Sequence, residues 1–154
     1  AIVASPVISR WRVYAIGHGG RIVAIDLASG QRAWDRNLGG VQTPVVAGEF
    51  LFTVTTEAEL VALTRRDGKI RWVTRLERYD NPKKKSGAIE WAGPVLAGNK
   101  LWLVSSAGRM VEADPGTGQI IAEHKLGGPA FLPPVVANII LYVLRDDGRV
   151  LAFR

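Results

Sequence analysis

Apolar and polar positions alternate over short runs along this chain, and turn residues close nearly every run. Arg12-Val13-Tyr14-Ala15-Ile16 ends in Gly17-His18-Gly19-Gly20, and Arg21-Ile22-Val23-Ala24-Ile25 leads into Asp26-Leu27-Ala28-Ser29-Gly30. The segment Gln31 to Leu38, which carries Trp34, makes a third run. β-branched and aromatic residues fill these runs, and their length suits strands rather than helices. Asp67-Gly68 and Asp147-Gly148 offer the positive φ that hairpin turns need. The pattern predicts an all-β chain of short antiparallel strands.

The runs recur in register. Proline followed by valine stands at Pro6, Pro44, Pro94 and Pro134, at spacings of 38, 50 and 40 residues. Counted from each proline, an aromatic returns eight residues on, as Tyr14, Phe52, Trp102 and Tyr142. A small residue returns at offset 14 (Gly20, Ala58, Gly108, Gly148) and an apolar one at offset 16 (Ile22, Leu60, Met110, Val150). Offset 24 is Gly30, Gly68 and Gly118, and offset 28 is Trp34 and Trp72 but Ala122 in the third copy. Four strands in about 40 residues is the unit of a β-propeller blade, whose sheet must bury both faces against its neighbours. The repeats run 5–42, 43–92, 93–132 and 133–154 within one partial propeller, and the last stops after its third strand. The small residue at offset 18 (Ala24, Ala62, Ala152) pairs in this reading with the tryptophan of the neighbouring sheet. Such a wedge buries roughly 150–250 Å². In the third copy Glu112 replaces the alanine as Ala122 replaces the tryptophan, so that interface is expected to be weaker or different. Two ring sizes remain open: half of an eight-bladed ring, or a closed four-bladed one with Ala1–Ala4 as the missing last strand.

Composition narrows the chemistry. Hydrophobic residues make up 47% and charged residues 22%, which is globular rather than disordered. No apolar run reaches the roughly 18 residues of a spanning helix. Cysteine is absent, which excludes disulfides, thiolate zinc sites and a thiol nucleophile. Ala1–Ala4 shows neither a basic leader nor a cleavage site, so no export signal is expected in these residues. The net charge of +6 is spread along the sequence rather than gathered in one block. His18 and His124, the two histidines, read as turn or surface residues, and Ser105-Ser106 has no partner base in repeat phase. Asp26 and Asp114 fall in phase at strand ends, where they cap turns, and Asp146-Asp147-Gly148 reads as a hairpin turn. No catalytic, cofactor or metal site is expected. One segment breaks the repeat: 79–90, with Lys83, Lys84 and Lys85 following Tyr79. Insertions into repeats map to loops on one face. Three lysines are too few for a phosphate-tracking groove, so nucleic acid is not an expected partner.

The residues Ala24-x-Asp26-x-x-Ser29-Gly30-x-x-x-Trp34, and more loosely Ala62-x-Thr64-x-x-Asp67-Gly68-x-x-x-Trp72, resemble the tryptophan-docking motif of quinoprotein (PQQ-type) propellers. Over its whole length the chain also resembles the C-terminal half of the BamB family, propeller lipoproteins of outer-membrane β-barrel assembly. The similar stretches are Ser5–Gly39, Leu60–Leu63, and Leu141–Val143 to Leu151–Arg154; the insertion before Trp91-Ala92-Gly93-Pro94-Val95 is similar to the α-proteobacterial branch. The resemblance implies an eight-bladed ring and Trp34, Trp72, Ala24, Ala62, Gly30, Gly68 and Gly118 as structural docking residues. It implies a non-catalytic periplasmic scaffold without cofactor, associated with the inner leaflet of the outer membrane only through a lipid anchor outside this chain. It further implies binding to the POTRA domains of the barrel-assembly subunit and to nascent β-barrel proteins, which favours protein docking by Tyr79, Lys83, Lys84 and Lys85. Two alternatives share the fold. One is a fragment of a PQQ-dependent dehydrogenase, against which stand the missing cysteines and the lack of a Ca²⁺-ligand pattern among Asn37, Asn81, Asn99 and Asn138. The other is a ligand-sensing propeller.

Overall fold

The computed structural model describes residues 4–17 and 19–154, and every regular element among them is a β-strand. Ala1–Val3 and His18, with the readings placed on them, lie outside the described residues. The first sheet joins β1 (Val7–Ser9), β2 (Arg12–Gly17), β3 (Arg21–Asp26) and β4 (Arg32–Arg36) in sequential order. The second joins β5 (Val45–Ala47), β6 (Phe50–Val54), β7 (Glu59–Thr64) and β8 (Ile70–Arg75) in the same way. The insertion folds as its own two-stranded sheet, β9 (Tyr79–Asn81) with β10 (Ser86–Ala88). The third sheet is β11 (Trp91–Ala97), β12 (Lys100–Ser105), β13 (Arg109–Ala113) and β14 (Ile120–Lys125). The last holds three strands, β15 (Val135–Ala137), β16 (Ile140–Leu144) and β17 (Val150–Phe153). All pairings are antiparallel.

The core lies between the sheets. Tyr14, Ile16, Ile22 and Trp34 of the first blade pack against Leu51, Val61 and Leu63 of the second. Phe52, Leu60 and Ala62 of the second meet Leu101, Leu103 and Val111 of the third. Val104 and Met110 of the third meet Leu141 and Val143 of the fourth. Strand β7 shows the cause: Leu60 and Ala62 point to one neighbour, Val61 and Leu63 to the other, and all four are inaccessible to solvent. A strand buried on both faces loses the polar half of its alternation, which is why these runs read as nearly continuous apolar segments. Ala4 joins the first-blade cluster, and β17 has no strand on its outer edge among the described residues.

The outermost strand of each of the first two blades carries the contact to the next. Where β3, β7 and β13 end, one turn repeats: the Asp26, Thr64 and Asp114 amides donate to the carbonyls of Gln31, Lys69 and Gln119, and the Gly30, Gly68 and Gly118 amides donate back to the carbonyls of Asp26, Thr64 and Asp114. That geometry puts the glycines at φ +71, +70 and +76. The Trp34 ring lies on Gly68, where an added methyl would sit 2.5 Å from Cε3, and the Trp72 ring lies on Gly118, where the gap would be 2.4 Å. Each indole also donates to a carbonyl of that turn region, Trp34 Nε1 to Arg65 O and Trp72 Nε1 to Pro115 O, both at 2.9 Å. The pairing expected between tryptophan and an alanine on the next sheet is corrected here. Ala24 and Ala62 lie directly opposite Trp34 and Trp72 within the same sheet, across β3–β4 and β7–β8. The alanines leave room for the ring to lie along its own sheet; the glycine of the following blade receives it.

Candidate protein-binding site

Residues 79–88 leave the blades as a hairpin on the connection between the second and third sheets. Pro82 to Lys85 form its tip, where the Asn81 side-chain oxygen accepts the Lys84 amide at 3.2 Å. Lys85 adopts φ 49 and Gly87 φ 68. Gly87 lies against Asp80, so close that a methyl there would sit 2.7 Å from its Oδ2. Below the tip, the Arg78 guanidinium covers the Tyr79 ring at 5.3 Å, a cation–π contact that holds the half-buried tyrosine in place. Trp91 anchors the base, its Nε1 donating to Glu77 O at 2.8 Å. Lys83, Lys84 and Lys85 are exposed, and none forms an ion pair among the described residues. A cleft of about 450 Å³ beside the hairpin is lined by Arg78, Tyr79, Pro82 and Arg109 and by the carboxylates of Glu77 and Asp80. The structure therefore brings Tyr79 and the three lysines onto one projecting element with a basic outer surface.

A second polar cluster escaped the sequence reading. Glu112 and Ala122 are register partners across β13–β14. Where two blades have a small residue opposite a tryptophan, the third has a carboxylate opposite a methyl. Glu112 is 6% exposed and accepts from Lys100 Nζ at 3.1 Å, while its other oxygen lies 2.5 Å from His124 Nε2. The His124 ring is stacked on Trp102 and tilted against Phe153 of β17. His124 is thus part surface and part interface: its side chain stays 35% exposed while its ring meets the fourth blade, a contact that its reading as a surface histidine did not include. Burial pushes the Glu112 carboxyl up, but the hydrogen bonds from His124 and Lys100 outweigh it and leave the group below the ordinary glutamate range. The signal was in the sequence: the repeat is broken at offsets 18 and 28 of one copy, and these are opposing positions.

Other polar residues serve the turns. Asp26 accepts the Ser29 amide and hydroxyl, which hold its carboxyl below the usual range. Asp114 accepts the amides of Gly116 and Thr117. Ser105 is buried with its hydroxyl accepting the Arg109 amide, and Ser106 accepts the Glu90 amide. Arg65, 6% exposed, donates to Tyr14 Oη, Gly48 O and Ser9 and so ties the first two blades together. Among the described residues no three His, Asp or Glu side chains converge as metal ligands.

Sequential antiparallel blades, joined by an indole seated on the glycine turn of the next sheet, define a propeller of the quinoprotein type. The chain belongs to the family of the outer membrane protein assembly factor BamB, whose family model matches residues 1–74 and 76–154. It is 30% identical over 151 residues to the outer membrane protein assembly factor BamB of Salmonella typhimurium, covering 96% of this chain and 36% of that protein. It is 28% identical to that of Alkalilimnicola ehrlichii, covering 98% of this chain and 37% of the relative. The chain therefore spans little more than a third of these relatives' length. Among solved structures, BamB from Moraxella catarrhalis superposes with a TM-score of 0.83 at 20% identity, covering 98% of this chain and 44% of that one. The quinohemoprotein alcohol dehydrogenase from Comamonas testosteroni shares the fold at a TM-score of 0.65 and 16% identity, over 81% of this chain and 21% of that one.

Proposed function

We propose that this chain is part of a non-catalytic periplasmic scaffold for outer-membrane β-barrel assembly. The proposed protein is held at the inner leaflet by a lipid outside these residues. Its partners in this reading are the POTRA domains of the barrel-assembly subunit and nascent barrel strands. The β9–β10 hairpin is the docking element, with Tyr79 as the apolar contact and Lys83, Lys84 and Lys85 facing an acidic patch. The observation that carries the proposal is the family match along nearly the whole chain. The hairpin is favoured because it departs from the repeat and holds three lysines with no ion pair among the described residues. The outermost strand of each complete blade, β4, β8 or β14, presents an edge for backbone pairing, which tolerates any client sequence. The four repeats act as one unit here, a segment of an eight-bladed ring.

The test is co-purification of the barrel-assembly subunit with the full-length protein, wild type against K83E/K84E/K85E. Wild type is expected to recover the subunit, and the charge reversal to weaken recovery at least tenfold with no change in thermal midpoint. Failure of the wild type to recover an intact subunit sinks the scaffold reading. Equal recovery by the variant removes the hairpin from the interface.

A further inference from the structure

The inner hairpin of every blade turns on two residues, and their tips share one face of the molecule. In the first blade these are Arg10 and Trp11, at φ 47 and 65; in the fourth, Asn138 and Ile139, at φ 48 and 61. The left-handed region is unfavourable for bulky and β-branched side chains. Yet Trp11 is 78% exposed and Ile139 95% exposed. Burial within the fold therefore does not explain either residue.

Repeat symmetry shows that neighbouring blades do not explain the exposure. The equivalent positions in the second and third blades, Glu49 and Asn99, are exposed although each of those blades has a sheet on both sides. The tip position is exposed in each of the four described blades. The first tip is also fixed. Arg10 pairs with Glu49 at 2.8 Å, Arg12 donates to the carbonyls of Arg65 and Arg66 at 2.7 and 2.8 Å, and Arg65 holds Ser9. Two-residue hairpin turns put both central residues at positive φ, so the turn itself is ordinary and it is the choice of an exposed indole and an exposed isoleucine there that calls for a reason.

The chemistry of the second blade's turns points to the partner. Arg66, Lys69 and Arg71 line a cleft of about 490 Å³ together with Phe50, Ile70, Glu49 and Asp67; Glu49 is taken up by Arg10 and Asp67 by Lys69, which leaves the two arginines, and Ile70 is 51% exposed. Arg66 and Arg71 have no carboxylate partner among the described residues, and the Arg71 guanidinium lies over the Phe50 ring at 5.9 Å. Unpaired guanidinium groups, an exposed aliphatic chain and a projecting indole are together suited to a phospholipid surface: cations at the phosphates, indole at the headgroup level. Trp11 and Ile139 stand at the exposed tips of separate sheets. A bilayer interface accepts both at once, whereas a protein would need two pockets at matched spacing.

We propose that this face docks on an anionic phospholipid surface, with Trp11 and Ile139 as interfacial anchors and Arg66 and Arg71 as phosphate contacts. The proposal does not depend on the hairpin's partner. It is tested with the full-length protein, purified without lipid modification, by co-sedimentation with phosphatidylcholine vesicles with and without phosphatidylglycerol. Binding is expected only with phosphatidylglycerol and is expected to fall as salt rises. Trp11→Gly relaxes the turn while removing the indole. It should leave the thermal midpoint unchanged or higher and weaken vesicle binding about tenfold; with Ile139→Gly added, the loss should reach roughly a hundredfold. No vesicle binding by the wild type, or equal binding by the double variant, overturns the proposal. So does a Trp11→Gly protein that keeps vesicle binding but loses the barrel-assembly subunit, since that outcome makes the face a protein interface.

Discussion

Glycine and tryptophan set the spacing of the blades, and the two glycine seats make a claim that single substitutions can check. A methyl group on Gly68 or Gly118 meets both a positive φ and an indole ring at 2.5 or 2.4 Å, while Gly30 has a similar φ and nothing within 4 Å. Gly68→Ala and Gly118→Ala are therefore expected to cost roughly 2–4 kcal/mol in this chain, by chemical denaturation. Gly30→Ala should cost only the conformational share, about 1–2 kcal/mol. Equal losses at all three would show that steric contact with the ring contributes nothing. Truncating the ring should cost more: Trp34, 7% exposed, is expected to lose about 3–5 kcal/mol on change to Ala, whereas Lys84→Ala should stay within about 0.5 kcal/mol of wild type. These offsets were legible in the sequence because a two-sided sheet fixes residue size at each position. Which neighbour each residue meets was not. The register slips between Ala24 and Ile25, and between Ala62 and Leu63, and such slips decide which side chains oppose each other across the turn.

At the level of strand pairs, the third interface replaces an indole with charge. The β13–β14 pair sets Glu112 opposite Ala122, and the carboxylate takes up Lys100 and His124 in the space between the third and fourth blades. Its folded-state pKa is depressed, so the native state binds fewer protons than the unfolded chain in the acidic range. That contribution is fully present above the ordinary glutamate pKa of 4.5 and is lost as pH falls through the lower folded value. Glu112→Gln should cost roughly 1–3 kcal/mol near neutral pH. The gap to wild type should close as pH falls through the acidic range; a gap that stays constant would assign the loss to packing alone. The insertion shows the other limit of pattern reading. Its position follows from the longer repeat spacing, but apart from Tyr79 its strands contain Asp, Asn, Ser, Gly and Ala rather than β-formers. The hairpin is closed by Asn81, Gly87 and the Arg78–Tyr79 contact, local chemistry that leaves no hydrophobic period.

Over the whole molecule, the repeat separates surface that belongs to the solvent from surface that awaits a neighbour. Offset 5 is exposed in every described copy, but offset 16 is not uniform: Ile22, Leu60 and Met110 are fully buried, and Val150 is 62% exposed. Tyr142 and Ala152 lie on the same face of the fourth sheet as Val150, at the offsets of the fully buried Tyr14 and Ala24. The fourth blade thus carries an interior surface with no sheet against it among the described residues. A residue of that type is costly to charge only when it is covered, because an exposed lysine keeps its hydration. Val150→Lys should accordingly cost under about 1 kcal/mol in this chain alone and reduce any concentration-dependent association through the β17 edge. In a longer polypeptide that places a further blade on this face, the same change should cost upwards of about 3 kcal/mol. Thermal midpoints of the two lengths, each with and without the substitution, measure the difference. An equally small loss in both would mean that Val150 faces solvent in the complete ring, and the equivalence of the fourth copy with the first three would fail.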